Sequence, residues 1–225
     1  MIVFDDVFVP YERVFLDGDV ARSAVVAHSL GLWERLSGVA HMAHLGDQLA
    51  GLAQLIATAN GLTRIAHIKD KITEIVLYAT MTRACLEAAL ANVQVNPDGI
   101  LVPSELYTNA GKLHAANNYA VMVRHLHDIA GGTVATAPGF ADLENPETGP
   151  FIEKYLRGAA GVNATERLAL FHTISKMTAD EWSGREAVSW LQSGGGLFAQ
   201  RTVTRQHYDM DGAVALARRL MGPLR

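Results

Sequence analysis

Three long stretches of the chain repeat apolar residues every three to four positions, and this spacing constrains the fold more than any other feature. The first stretch runs from Val20 to Asn60-Gly61, either without a break or with an interruption near Gly46. The second covers about 64–96, and the third follows Pro103-Ser104 and ends at about residue 130. A repeat close to 3.6 residues predicts amphipathic helices, so three long helices are expected.

The remaining sequence predicts shorter helices at about 151–156, 164–191 and 210–221. Residues 2–16 alternate β-branched and aromatic side chains with acids, which predicts one or two short strands, and no other strands are expected. Strands without a sheet leave unpaired edges. We therefore expect residues 1–18 to be a remnant of a missing β-domain, and 19–225 to form a mainly α, antiparallel helical bundle.

Composition excludes several classes of protein. The chain has 225 residues and is 49% hydrophobic, which is enough for one sizeable core. Its net charge of −4 supplies no basic field for nucleic acid, and no apolar run of roughly 18 residues could span a membrane. Cys85 is the single cysteine, and no signal-peptide pattern follows Met1, so a cytoplasmic location is expected.

The third helix is expected to end at a pair of glycines. The segment Asp128-Ile129-Ala130-Gly131-Gly132-Thr133 leads from the apolar helical pattern into a loop rich in glycine and proline. Paired glycines allow the backbone to approach a bulky anion closely, with free amides pointing at it. The alternative is an ordinary glycine cap at the end of a helix.

The start of the second helix is rich in cations. Arg64, His67 and Lys69 lie in and just before its first turns. Because a helix amino end already carries partial positive charge, added cations are unfavourable there unless an anion such as phosphate is bound. The alternative is a solvated basic patch with Asp70 and Glu74 as neighbouring acids.

Other polar residues give weaker indications. His41, His44 and Asp47 are spaced by three residues, so the two histidines could share one helix face and approach a metal. No third and fourth ligand is fixed, so polar positions on a long helix are the better interpretation and no metal site is predicted. Cys85, in the middle of the second helix, is expected to behave as a small apolar residue.

Several separate motifs, in the same order, resemble the family of 4-hydroxyphenylacetate 3-monooxygenase and 4-hydroxybutyryl-CoA dehydratase. They span essentially the whole chain and consist of Val3 to Pro10, Gly46-Asp47, Asn60 to Lys71, Asn109-Ala110-Gly111-Lys112, Asp128 to Gly132, Glu144-Asn145-Pro146, Glu153-Lys154-Tyr155 and Ala199-Gln200-Arg201.

The resemblance implies an architecture similar to that of acyl-CoA dehydrogenases, of which this chain corresponds to the carboxy-terminal bundle that assembles tetramers. It implies that the two glycines contact the flavin nucleotide of a neighbouring subunit and that the basic residues lie near the FAD phosphates. The cofactor-binding residues it implies are Arg64, His67, Lys69, Asp128, Gly131, Gly132 and Thr133.

The sequence departs from the dehydratase at the iron–sulfur cluster. The resemblance implies that two ligands of that enzyme's cluster are cysteines of its amino-terminal part. It implies that the other two ligands, a histidine and a cysteine, match Glu34 and His41 of this chain. Because the chain has only Cys85, it cannot supply those thiolates, and no iron–sulfur cluster is expected.

The function expected from these observations is that of the carboxy-terminal domain of a flavin-dependent oxidoreductase of the aromatic-hydroxylase type, which contributes FAD binding and oligomerisation. One alternative is a relative of the dehydratase/isomerase that has lost its cluster. The other is a non-catalytic helical assembly module. The expected partners are a small aromatic or acyl-CoA substrate, a separately encoded amino-terminal half, and further copies of the chain in a dimer or tetramer.

Oligomerisation is also expected from two apolar stripes, which exceed what one small bundle can cover. They consist of Ile65, Ile68, Ile72 and Ala110, Leu113, Ala116.

Overall fold

A computed structural model describes residues 1–221, and helices dominate it, which confirms the mainly α prediction. The helices are α1 Val20–Ala59, α2 Ala66–Ala91, α3 Glu105–Ala130, α4 Thr133–Thr136, α5 Phe140–Glu144, α6 Gly149–Tyr155, α7 Ala164–Thr178, α8 Glu181–Gln192, α9 Leu197–His207 and α10 Met210–Met221. Two strands, β1 Gln94–Val95 and β2 Leu101–Val102, lie between α2 and α3.

The predicted position of the strands is wrong. Residues 1–18 contain a short 3-10 helix, Tyr11–Arg13, and no strand. The segment has no neighbouring strand to pair with, and its aromatic side chains, such as Phe8 at 87% exposure, lie in solvent. A strand without a partner is not stable in water. The observed strands instead form a hairpin, closed by Asn96, whose Oδ1 accepts hydrogen bonds from the amides of Asp98 and Ile100.

Helix α1 passes through Gly46 without interruption, which is one of the two predicted alternatives. Another helix differs from the prediction. The stretch predicted as one helix over 164–191 is two, because Asp180 caps a new helix: its Oδ1 accepts a hydrogen bond from the amide of Ser183 at 2.8 Å. Helix α9, which follows the three glycines 194–196, was not predicted.

Helices α1, α2 and α3 form the core, and small residues let them approach closely. A Cβ added at Gly46 of α1 would lie 2.9 Å from Cβ of Ala79 on α2. A Cβ added at Gly111 of α3 would lie 2.6 Å from Cβ of Cys85 on α2. These contacts leave no room for larger side chains where the three helices meet. They also place Cys85 among apolar neighbours, and burial raises the pKa of its thiol.

The two apolar stripes that suggested oligomerisation are largely used within the chain. Ile68 and Ala116 are buried, and Ile72 packs against the core. Ile65 of the first stripe remains exposed. Other large exposed apolar residues lie in the segment 1–16, the first turns of α1, helix α2 with the hairpin that follows it, and helix α10.

Candidate functional site

One end of the bundle brings together the segments singled out in the sequence. Asn60, which follows α1, donates two hydrogen bonds of 3.3 Å to the carbonyl oxygens of Ile129 and Ala130, at the end of α3. Arg167 of α7 donates in turn to Oδ1 of Asn60, at 2.7 and 3.1 Å. Asn60 therefore fixes the end of α3 against α1, immediately before the glycine pair.

The two glycines have different roles. Gly131 has φ +82°, a conformation that favours glycine, and its amide donates to the carbonyl of His127 at 2.8 Å. It therefore ends α3 as a cap. Gly132 has φ −60°, which any residue can adopt. A Cβ at either position would meet no atom within 4 Å, so the space in front of the pair is open.

The basic start of α2 reaches the same end of the bundle. Lys71 forms an ion pair with Asp128 of α3, and this hydrogen bond and charge, with smaller contributions from His67 and His125, lower the pKa of Asp128. Helix α2 begins without a side-chain cap. Arg64 is exposed and forms no ion pair with another residue of the described range 1–221.

Beside the glycine pair lies an open cleft of about 500 Å³. Its lining consists of Arg124, His127, Asp128, Gly131, Gly132, Val134, Ala135 and Ala179. Of the site residues expected from the sequence, Asp128, Gly131 and Gly132 line the cleft, and Thr133 begins α4 next to it.

Three of the expected residues do not line the cleft, and two residues that do were missed. Arg64, His67 and Lys69 lie outside it, linked to it through the contact between α2 and Asp128. Arg124 and His127 were not predicted, although they stand four and one positions before Asp128 and so share or adjoin its helix face. That spacing was the available signal.

A second candidate region surrounds Trp190 of α8. Its ring stacks on that of His41, with 3.8 Å between centroids and an angle of 14°. A mostly apolar pocket of about 220 Å³ lies on one side, with Met42, Tyr119 and Trp190 among its lining residues. A pocket of about 340 Å³, on the His41 side, also includes Glu186. Burial lowers the pKa of His41, while the charge of Glu186 raises it.

Buried side chains from three helices hold Trp190 and the glycine loop after α8. Lys112 of α3 donates to the carbonyl of Trp190, Arg35 of α1 donates through Nε to the carbonyl of Gly194 at 2.7 Å, and Gln200 of α9 donates to the carbonyl of Gly195 at 2.9 Å. Lys112 and Gln200 lie in two of the motifs that carry the family resemblance, but the sequence did not predict that they meet Arg35 here.

Lys112 is fully buried. Burial, together with the charge of Arg35, lowers its pKa to about 8. A Cβ added at Gly38 of α1 would lie 2.6 Å from Cε of Lys112, so glycine at this position leaves room for the lysine side chain. The carboxylate of Glu34 is the nearby opposite charge.

The resemblance matches Glu34 and His41 to two cluster ligands of the dehydratase, and neither is a cysteine. His41 is stacked on Trp190, and Cys85 lies on a different helix, packed at Gly111. Within residues 1–221 no group of three or more histidine, cysteine or acidic side chains could hold a metal ion. Within that range, too, no helix is both long and apolar enough to cross a membrane.

Known proteins resemble this chain along most of its length. Over 99% of its own length, this chain is 27% identical to the oxygenase component of 4-nitrophenol 4-monooxygenase/4-nitrocatechol 2-monooxygenase of Rhodococcus opacus. Over 83% of its own length, it is 33% identical to the oxygenase component of 4-hydroxyphenylacetate 3-monooxygenase of Thermus thermophilus. A 4-hydroxybutyryl-CoA dehydratase structure from N. maritimus is 28% identical over 99% of the chain, with TM-score 0.88.

A structure of the 4-hydroxyphenylacetate 3-monooxygenase oxygenase component complexed with FAD matches 98% of the chain at 28% identity, with TM-score 0.89. The chain spans only 42% and 39% of the two monooxygenase sequences, and 44% and 46% of the two solved chains. The sequence model described as 4-hydroxyphenylacetate 3-hydroxylase C terminal matches residues 23–222. The chain belongs to this family, as the motifs predicted.

Proposed function

We propose that this chain is the FAD-holding and assembling carboxy-terminal part of a flavin-dependent oxidoreductase of the aromatic-hydroxylase type. The observation that carries the proposal is the convergence at one end of the bundle. There, the uncapped, basic start of α2 meets the open glycine pair that ends α3. One relative that matches this chain is named as an FADH2-dependent monooxygenase, and another, the oxygenase component of 4-hydroxyphenylacetate 3-monooxygenase, was solved with FAD.

The residues at this end suit a diphosphate. The cleft is open in front of Gly131 and Gly132, so a phosphate group could approach the backbone closely. Arg64 and Lys69 supply positive charge, and Lys71 neutralises Asp128, the carboxylate that would otherwise repel a phosphate. Bound flavin would supply the redox chemistry, while the residues of this chain would hold the nucleotide in place.

The region around Trp190 favours the hydroxylase type over the dehydratase type. A mostly apolar pocket beside Trp190 and Tyr119 suits a small aromatic ring better than a long, polar CoA chain. The stacking of His41 on Trp190 occupies the position where the dehydratase would place a cluster ligand. We therefore favour an aromatic substrate over an acyl-CoA substrate.

The assembly role rests on exposed apolar surface. Phe4, Phe8 and Phe15 are more than three-quarters exposed in the segment 1–16, which resembles the closing strand of a β-domain. We propose that this segment docks on the domains that the longer relatives carry before the part matched here, whether these belong to the same polypeptide or to a separate one.

The FAD proposal is tested by binding in a reconstituted protein, in which this chain is combined with the amino-terminal and β-domains of a relative. Arg64→Ala is expected to weaken FAD binding by about 1–3 kcal/mol, because it removes a charge-assisted hydrogen bond. Gly132→Val is also expected to weaken FAD binding, because the valine side chain would fill the space proposed for the phosphate. The φ of Gly132 is compatible with valine, so the backbone should not be strained. The dissociation constant for FAD is measured by fluorescence.

The matched control is Arg205→Ala, which removes an exposed arginine from α9 at a distance from the glycine pair. It should bind FAD as the unsubstituted protein does. Equal affinity of the unsubstituted protein, Arg64→Ala and Gly132→Val would contradict the proposal, and the glycine pair would then be only the end of a helix.

A further inference from the structure

The two pockets beside Trp190 adjoin each other and differ in chemistry. They share Tyr119, Ser183 and Trp190. The apolar pocket, of about 220 Å³, includes Met42. Because an apolar cavity of about 150 Å³ can hold a benzene ring, the apolar pocket has room for one aromatic ring with a short substituent. The charged pocket, of about 340 Å³, includes His41 and contains ionisable side chains.

The charged pocket carries one permanent charge of each sign. Lys176 lies near the end of α7, and Glu186 lies in the middle of α8. Although both line the same pocket, neither forms an ion pair with another residue of the range 1–221. Both charges are therefore available to a ligand that enters the pocket.

The carboxylate of Glu186 acts on the side chains between the two pockets. Burial raises the pKa of the Tyr119 hydroxyl, and the charge of Glu186 adds to this shift. Burial lowers the pKa of His41, and the charge of Glu186 opposes that shift. The carboxylate therefore lies within electrostatic reach of both rings. Glu186 is half-buried, and an unpaired carboxylate in such a place is stabilised by a ligand cation.

The ligand that suits both pockets is an aromatic amino acid. Its ring would occupy the apolar pocket. Its ammonium group would lie at Glu186, near Trp182 and Trp190, whose aromatic faces also favour a cation. Its carboxylate would lie at Lys176. An α-amino acid carries these two charges on one carbon atom, and it is neutral overall, as the sum of the charges of Lys176 and Glu186 is.

We propose that the two pockets form one binding site for a tyrosine-like substrate, whose ring lies beside Trp190 and whose zwitterionic end is held by Glu186 and Lys176. This inference rests on the aromatic-hydroxylase part of the proposed function and names the class of its substrate. It does not depend on the binding of FAD at the glycine pair, so the two proposals can fail separately.

The experiment compares four ligands that carry the same phenol ring. All lining residues of the two pockets belong to this chain, so binding is measured on the full chain by titration calorimetry at neutral pH. The ligands are L-tyrosine, tyramine, which lacks the carboxylate, 3-(4-hydroxyphenyl)propionate, which lacks the amine, and 4-ethylphenol, which lacks both. L-tyrosine is expected to bind at least about tenfold more tightly than 4-ethylphenol, because it gains two opposite-charge contacts.

Two substitutions separate the charges. Glu186→Gln is expected to weaken the binding of L-tyrosine and tyramine at least about threefold, because it removes the partner of the ammonium group. It should not weaken the binding of 3-(4-hydroxyphenyl)propionate, whose carboxylate Glu186 repels. Lys176→Met is expected to show the opposite selectivity: it weakens the binding of L-tyrosine and 3-(4-hydroxyphenyl)propionate, and it does not weaken that of tyramine.

Glu181→Gln and Lys154→Met are the matched controls, because both residues are exposed and line neither pocket. All four affinities should stay within about twofold in these variants. Three results would overturn the inference. If none of the four ligands binds, the aromatic-substrate part of the proposed function fails as well. If 4-ethylphenol binds as tightly as L-tyrosine, only the recognition of the zwitterion is wrong. If Glu186→Gln or Lys176→Met weakens the binding of all four ligands equally, that residue supports the pocket and does not bind a charged group of the ligand.

Discussion

Replacement of Gly46 by leucine is expected to lower the free energy of unfolding by about 3 kcal/mol, the upper end for overpacking a helix contact. A Cβ at this position would already lie 2.9 Å from Cβ and 3.0 Å from Cα of Ala79. Because the second of these atoms belongs to the backbone of α2, the strain cannot be relieved by rotating a side chain. The measurement is the midpoint of unfolding in urea, with the slope checked for change.

Gly51→Ala provides the control within the same helix. A Cβ there would meet no atom within 4 Å, and alanine favours helix more than glycine does. This variant is therefore expected to be more stable by about 0.5–1 kcal/mol. If Gly46→Leu were instead as stabilising as Gly51→Ala, helix propensity alone would explain both results, and the close approach of α1 to Ala79 would not limit the side chain at position 46.

Gly46 also illustrates what the sequence could predict of the fold. The spacing of apolar residues predicted the three long helices to within about five residues, because one face of α2, of α3 and of α1 from Leu32 onward is buried. The same spacing cannot tell whether a glycine interrupts a helix or lets another helix approach. That distinction depends on Ala79, which lies 33 positions further along the chain, and such a contact is not visible in local sequence.

The predicted strands failed for a related reason. Alternation between Ile2 and Leu16 is compatible with a strand, but a strand exists only where a second one can pair with it. Among residues 1–221 the chain offers no partner for that segment. The pairing of Val95 with Leu101, by contrast, depends on the local turn at Asn96 and needs no distant partner.

The candidate sites differ in how far the sequence could predict them. The glycine pair, the basic start of α2 and Asp128 could be predicted because each follows from a helix end and its charge. Arg124 and His127 were missed although helical spacing places them near Asp128. The sequence did not predict that Gln200 and Arg35 hold the same loop, because they come close only where α1, α9 and the glycine loop meet.

Lys112 was named in a motif, but its burial was not predicted, because lysine is normally a surface residue. A signal did exist: four residues before Ala116, it lies on the apolar stripe of α3 and not on the polar face. A lysine placed there must find an acceptor inside the protein, and the carbonyl of Trp190 provides it. The cost of burying this charge gives the second large effect that can be measured.

Because of Lys112, the free energy of unfolding of the unsubstituted chain is expected to increase by about 3 kcal/mol between pH 8 and pH 10.5. Lys112→Met is expected to abolish this increase. In the folded chain the pKa of Lys112 is lowered from 10.5 to about 8 by burial. Within this range the unfolded chain therefore still binds the proton that the folded chain has released, so the free energy of unfolding increases with pH. Below pH 8 the folded chain bears the full cost of the buried charge.

The measurement is the free energy of unfolding in urea at several pH values, taken as the difference between the unsubstituted chain and Lys112→Met. Other groups, such as Tyr78 and Tyr119, whose pKa values are raised by burial, destabilise the fold at high pH, but they are common to both proteins and cancel in the difference. Lys154→Met, at an exposed lysine, is the control and should leave the pH dependence unchanged. Parallel curves for the unsubstituted chain and Lys112→Met would mean that the amine is solvated, and that the loop around Trp190 is not held by a buried charge.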